Sequence, residues 1–197
     1  MATTTVDLVA SATAYTDYTA PTTSFYNTQS IVLREDNRYY SYSTIAVLNF
    51  DLSIESKKKH ITDAQLFFYV SSFTPYSPTW IITKAGSEGY DISNLTYALN
   101  GGMSTNPNPS YEDPEAIKTN ISSTGSKSTT RFNSTIGGQF VFWNCIRSQS
   151  YIQLELGTET QWGSYDIPNV ISGISGSSAP YLRVYLEDPT FSVGSLN

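Results

Sequence analysis

The most regular pattern in the chain is the segment Ile61-Thr62-Asp63-Ala64-Gln65-Leu66-Phe67-Phe68-Tyr69-Val70, and this segment decides the fold class. Apolar side chains recur here at every second position, which is the period of a β-strand with one buried face. The buried face is predicted to carry Ala64, Leu66, Phe68 and Val70. The opposite face carries Gln65, Phe67 and Tyr69, and its phenylalanine indicates that this face is partly covered as well.

The same alternation extends along the chain on both sides of this segment. It predicts further strands at residues 30–33, 44–50, 79–84, 139–146, 151–156 and 181–186. No helical periodicity and no internal repeat competes with it, which argues against solenoids and propellers. The sequence therefore predicts an all-β fold, an antiparallel β-sandwich of jelly-roll-like type with long loops. The expected core is Ile45, Val47, Phe50, Leu66, Phe68, Leu154, Leu182 and Val184.

The length of 197 residues suits one β-sandwich domain that spans residues 1–197. Three parts do not follow the strand pattern: an N-terminal arm at 1–12, a long irregular loop region at 86–139 and a C-terminal tail at 189–197. Loops this long inside a compact domain are usually functional or packed by a partner. We therefore expect the arm and the loop region to contact neighbouring subunits in a homo-oligomer, with a closed trimer favoured.

Composition narrows the classes of partner and the place of synthesis. Charged residues make up 14% of the chain, aromatic residues make up 14%, and the net charge is -6. An acidic chain with few Lys and Arg argues against nucleic acid, because phosphate binding needs clustered cations. No stretch has the ~20 apolar residues of a membrane span, and the N-terminus lacks a secretory signal pattern. We expect synthesis in the host cytoplasm and no membrane partner, although the Ser, Thr, Tyr and Asn content is typical of an exterior surface.

Catalysis is not expected from the residue types present. The single histidine, His60, follows a run of lysines, and the single cysteine, Cys145, lies in an apolar run. This leaves no set for a Ser-His-Asp triad or a His-ligated metal. Pairs of acidic residues lie at turns and strand ends, where solvated side chains are the ordinary explanation. The chain is therefore predicted not to be an enzyme.

The order of several segments resembles the DNRLRE-type β-sandwich module, which is related to a class of carbohydrate-binding modules. An aromatic-Asp segment at 15–18 precedes Leu48-Asn49-Phe50-Asp51-Leu52, which fits the family's LxFDL strand. The segment at 61–70 fits the next strand, and Pro180 to Tyr185 fits the last one. The Trp-Asp-Glu element usual in the middle of the family is absent, and Pro78-Thr79-Trp80 is at best a remnant of the usual Thr-Trp element. The resemblance implies a sandwich fold and a carbohydrate-binding relative.

Two sets of candidate site residues follow. Sandwich modules of this kind often hold a structural Ca²⁺, and oxygen ligands for it are available from Asp17, Asp51 and Asp188. Aromatic residues in or beside loops are candidates either for sugar stacking or for a protein interface, where such rings are enriched. The candidates are Tyr76, Trp80, Tyr90, Tyr97, Tyr111 and Trp162.

Two functions fit these features of the sequence. The first is a structural protein on the exterior of a tailed-bacteriophage virion: a capsid decoration or cement protein, a head fibre or a tail component. It accounts for cytoplasmic synthesis together with an exterior composition, and its partners are capsid or tail proteins. The alternative is a carbohydrate-binding module that mediates adsorption to a glycan surface.

Overall fold

A computed structural model describes residues 4–36, 42–52, 60–73, 79–85, 91–97, 117–132, 151–160, 169–174 and 178–187. A short 3₁₀ turn spans Ile92–Asn94. The strands, in chain order, are β1 Thr4–Val9, β2 Ala12–Tyr15, β3 Phe25–Tyr26, β4 Ser30–Leu33, β5 Glu35–Asp36, β6 Tyr42–Ser43, β7 Ala46–Asp51, β8 His60–Ser72, β9 Thr79–Ala85, β10 Ile117–Ile121, β11 Gly125–Ser128, β12 Tyr151–Thr160, β13 Asn169–Ser172 and β14 Tyr181–Glu187.

Sheet 1 is built around the long strand β8. Phe67 pairs with Tyr181 and with Ser128, whereas Val70 pairs with Ile171 and with Gly125. Since a residue has one neighbour on each side, β14 and β13 lie end to end along one side of β8, and β11 lies along the other. β1 pairs with β14, and β4 pairs with β13, so these two strands form the same edge of the sheet. All of these pairings are antiparallel.

Sheet 2 has the strand order β10-β9-β12-β7-β2-β3, and its pairings are antiparallel too. The chain passes from sheet 2 to sheet 1 between β10 and β11 through Ser122, Ser123 and Thr124. Gly125 closes this corner with φ of 106°, a conformation that other residues rarely adopt. A tight backbone contact lies at Gly173, whose amide donates to the Gln29 carbonyl at 2.8 Å.

The two sheets share one apolar core, formed by alternate residues of each strand. Sheet 1 contributes residues such as Leu66, Phe68 and Leu182, and sheet 2 contributes residues such as Phe50 and Leu154, each at most 3% exposed. The all-β class and the antiparallel sheets predicted from the sequence are confirmed. All eight expected core residues are buried. The jelly-roll detail of the topology stays a prediction.

Ile45 and Val47 are buried, but not between the sheets. They form a separate cluster with Ala14 and Leu95 on the outer side of sheet 2, under the segment of the 3₁₀ turn. Phe50 lies on the other face of the same strand, because residues 47 and 50 have opposite parity in a strand. The sequence could not separate these faces, since apolar residues occupy both.

Two of the predicted irregular parts contain strands. Residues 4–9 of the expected N-terminal arm form β1, which pairs with β14 over its whole length. Within the expected loop region 86–139, β10 is the edge of sheet 2 and β11 pairs with β8. Ile117 and Ile121, at the two ends of β10, point into the core. The three residues between them are polar, so the pattern was too weak to predict a strand. The predicted strand at 139–146 and the tail at 189–197 lie outside the described residues.

Candidate binding surface

The outer face of sheet 1 carries the most ordered set of polar and aromatic side chains in the described part of the chain. It consists of the residues that alternate with the core positions on β1, β14 and β8. Strand register arranges them in rows that cross the sheet. The rows are Val9, Tyr181 and Phe67; then Asp7, Arg183 and Gln65; then Thr5, Tyr185 and Asp63.

An ion pair forms the centre of this face. The Arg183 guanidinium donates to both carboxylate oxygens of Asp7, from Nε and from an Nη, each at 2.7 Å. The hydrogen bonds from Arg183 hold the pKa of Asp7 below its usual value, against a smaller opposing effect of burial. The same bonds raise the pKa of Arg183. A bidentate pair of this kind fixes the plane of the guanidinium as well as its position.

Arg183 also covers two aromatic rings. The rings of Phe67 and Tyr181 stack across neighbouring strands, with centroids 4.8 Å apart and planes 3° apart. The Arg183 guanidinium carbon lies 4.9 Å from the Phe67 centroid and 5.7 Å from that of Tyr181. Because the facing sides of these rings are occupied by each other, that part of their surface is not available for stacking against a ligand.

A second group of contacts ties the segment after β11 to the same face. The Tyr185 hydroxyl donates to Gln65 Oε1 at 3.1 Å, and Gln65 Nε2 donates to the Thr129 carbonyl at 2.7 Å. The Arg131 guanidinium lies 4.1 Å above the Tyr185 ring and reaches the buried Asp63 carboxylate at 3.7 Å. These contacts hold the side chains in place before any partner arrives.

Exposed apolar and aromatic groups surround this network. The side chains of Val9 and Tyr69 remain 59% and 36% exposed, on β1 and β8 respectively. Arginine and tyrosine set among neutralised charges are typical of the energetically important residues of protein interfaces. The arrangement can bind a partner through shape, ring edges and hydrogen bonds.

Two of the six aromatic candidates named from the sequence, Tyr97 and Trp80, lie within the described residues, and neither is on this face. Tyr97 is partly buried and contacts the Tyr18 ring edge-on, at 6.5 Å between centroids, beside the 3₁₀ turn. The backbone of Trp80 lies in β9, paired with Asn120 and Glu159. The other four candidates, Tyr76, Tyr90, Tyr111 and Trp162, lie outside the described residues. The sequence analysis missed the outer face of sheet 1 because it sought aromatic residues in or beside loops, whereas those of this face lie in strands. Only Phe67, opposite the core face, indicated that this face is partly covered.

Two of the three calcium candidates, Asp17 and Asp51, are described by the structure, and they are not brought together. Asp17 is buried beyond the end of β2, where its Oδ1 accepts bonds from the Thr19 amide at 2.8 Å and the Thr19 hydroxyl at 2.7 Å. Its other oxygen lies 3.6 Å from Arg34 Nε. Asp51 lies at the other end of β7, so the rise of the strand separates the two by roughly 20 Å. Asp188 lies outside the described residues, and the described part of the chain holds no cluster of metal-ligating side chains.

Neither the models of known protein families nor the curated protein sequences match this chain. The resemblance to the DNRLRE-type module therefore stays a prediction from the strand motifs. None of the helical segments in the described ranges has the length and apolar character needed to cross a membrane.

Proposed function

We propose that this protein is a non-enzymatic structural component of a larger assembly and that it docks through the outer face of sheet 1. The observation that carries the proposal is the fixed set of Asp7, Arg183, Phe67 and Tyr181 on an open sheet face. Side chains already held in one conformation lose little further entropy on docking. The Asp7 and Arg183 charges already neutralise each other, so covering them does not leave a buried charge without a partner.

The assembly that fits the composition best is a tailed-bacteriophage virion, with this chain on its exterior as a capsid decoration or cement protein, a head fibre or a tail component. Support comes from the low charge content and the richness in tyrosine. Capsid or tail proteins are then the partners, with further copies of the chain beside them.

The test is whether the chain purifies with particles at a fixed copy number. Particles are isolated on a density gradient, and the chain is quantified against the major capsid protein by mass spectrometry.

Recombinant chain is then added to particles that lack it. Tyr69→Ala should weaken attachment at least about tenfold, as the loss of an energetically important aromatic residue of an interface does. Tyr151→Ala is the matched control, since Tyr151 is 40% exposed but belongs to sheet 2. Attachment that is equal for both variants overturns the docking face.

A carbohydrate-binding module is the second candidate function, and the exposure of Tyr69 favours it. This ring pairs in register with Ser126 of β11, so a sugar could stack on it beside a hydroxyl group. A glycan array separates the two candidates. Glycan binding that Tyr69→Ala abolishes, without any attachment to particles, would support the carbohydrate-binding module.

A further inference from the structure

β1 forms part of an edge of sheet 1, with β14 on one side and no described strand on the other. A hydrogen bond from the Ala10 amide to the Pro180 carbonyl, at 2.9 Å, fixes the direction of its backbone groups. In an antiparallel ladder, alternate residues point their N–H and C=O groups toward the same neighbour. Val6 and Leu8 therefore bond toward β14, whereas Thr5, Asp7 and Val9 point theirs away from the sheet.

This edge lacks the features by which proteins prevent strands from pairing between molecules. Such features are edge lysines, prolines, bulges and unpaired inward charges. β1 has the sequence Thr4-Thr5-Val6-Asp7-Leu8-Val9, and its register against β14 is continuous, with no bulge. Its one charge, on Asp7, is neutralised by Arg183 within the same sheet. Val9, at its end, is more than half exposed.

We propose that β1 pairs antiparallel with β1 of a second copy of this chain, about a two-fold axis at Val6. A two-fold axis perpendicular to the sheet keeps the outer faces of both copies on the same side. Centring on Val6 sets Asp7 opposite Thr5 of the second copy, whereas centring on Asp7 would set two carboxylates opposite each other. Thr5 and Asp7 both point their backbone groups outward, so this register forms about four hydrogen bonds between the copies.

A second copy fits this edge because one strand serves both sides of the contact. Two identical edges satisfy each other in a closed pair and leave no further edge of this kind, as isologous contacts do. The pairing also joins the outer faces of the two sheets into one continuous surface. This inference is independent of the proposed function, since it concerns the edge of sheet 1 and not its face.

Sedimentation velocity of the full chain tests the pairing. The wild-type chain should show twice the chain's mass. Thr5→Glu should halve it, because it sets a second carboxylate opposite Asp7 of the other copy, and Thr5→Pro should halve it too. Proline is tolerated at Thr5, because this amide points away from β14. Thr5→Val is the matched control and should keep the wild-type mass. Far-UV circular dichroism shows whether each variant stays folded, and Thr5→Glu remains the test of the pairing if the proline variant does not fold.

Cross-linking tests the register. In a Cys145→Ala background, which removes the only native cysteine, Val6→Cys places two thiols across the axis at a non-hydrogen-bonded pair. Such pairs have Cβ atoms about 4.5–5.5 Å apart, so mild oxidation should give a disulfide-linked dimer after small shifts. Thr4→Cys is the control and should form no disulfide between chains, because Thr4 faces Leu8 of the second copy. The proposal is overturned if the wild-type chain is a monomer or a trimer. It is also overturned if Thr5→Glu and Thr5→Pro both keep the wild-type mass.

Discussion

Arg183 is a single residue that holds together side chains from three strands on the outer face of sheet 1. Its guanidinium binds the Asp7 carboxylate on β1 and covers the rings of Phe67 on β8 and Tyr181 on its own strand. Three strands are thus joined on the solvent side, opposite the core. Arginine suits this position because its planar group can form a bidentate bond and lie over rings at the same time.

Replacing Arg183 should change the titration of Asp7. The Arg183 hydrogen bonds lower the pKa of Asp7 from 3.8, so they stabilise the fold above that pH and this stabilisation is lost as the pH falls through the lower folded value. Arg183→Met should therefore move the Asp7 midpoint up toward 3.8, as followed by carboxyl carbon NMR. The pKa of Asp91 is lowered by bonds from Asn94 and Ser93 instead, and it should not move. An unchanged Asp7 midpoint would contradict the ion pair.

Gly173 is a second residue whose identity the structure requires. A Cβ added there would lie 2.1 Å from the Thr28 carbonyl oxygen, and this neighbour is backbone that cannot rotate away. Gly173→Ala should therefore destabilise the chain by about 1–3 kcal/mol, as overpacking does, measured by urea unfolding. A much smaller loss would show that the β13–β4 contact is looser than described.

At the scale of strands, how well the sequence predicted an element depended on its length and on how many apolar residues it has. β8, β12 and β14 were predicted because each has several alternating apolar residues. β2, β10 and β13 were missed because each has only four or five residues with at most two large apolar side chains, and they are held by neighbours distant in the chain. β1 was taken for an arm because threonines precede its two inward residues, Val6 and Leu8. Residues such as these become strands through tertiary pairing, which local pattern does not report.

The strict alternation of β8 leads to a test at the level of that strand. Leu66 is 0% exposed in the shared core, so Leu66→Ala should cost about 2–5 kcal/mol of unfolding free energy. Tyr69 faces solvent on the same strand, and Tyr69→Thr keeps a residue that suits strands. It should change stability by no more than about 0.5 kcal/mol. Chemical denaturation of both variants checks the difference, and similar losses would show that the faces of β8 are wrongly assigned.

At the scale of the whole molecule, the sequence predicted the fold class but did not indicate the candidate surface on the outer face of sheet 1. The core face of each long strand can be recognised because hydrophobic burial has a fixed period. The outer face of sheet 1 depends instead on strand order, which brings Asp7 beside Arg183, and Arg183 beside Gln65, from distant parts of the chain. Nothing local to Asp7 or Gln65 indicates these neighbours.

Residues 117–132 lie in the part of the chain that the sequence predicts to be an irregular loop region in contact with neighbouring subunits. In the structure, β10 pairs with β9, β11 pairs with β8, and Phe132 is buried in the shared core. The Thr129 amide also donates to the Leu66 carbonyl at 3.0 Å.

Hydrogen exchange on the isolated chain should therefore protect Thr129 and those amides of β10 and β11 that bond to β9 and β8, because opening these pairs exposes part of the shared core. The exposed residues Ser122, Ser123 and Thr124, between the two strands, are the internal control and should exchange quickly. Rapid exchange of these β10 and β11 amides in a chain whose β8 remains protected would contradict this. It would indicate that the two strands become ordered only in contact with neighbouring subunits. Their protection in the isolated chain would instead show that one chain orders both strands and carries the crossing between its two sheets.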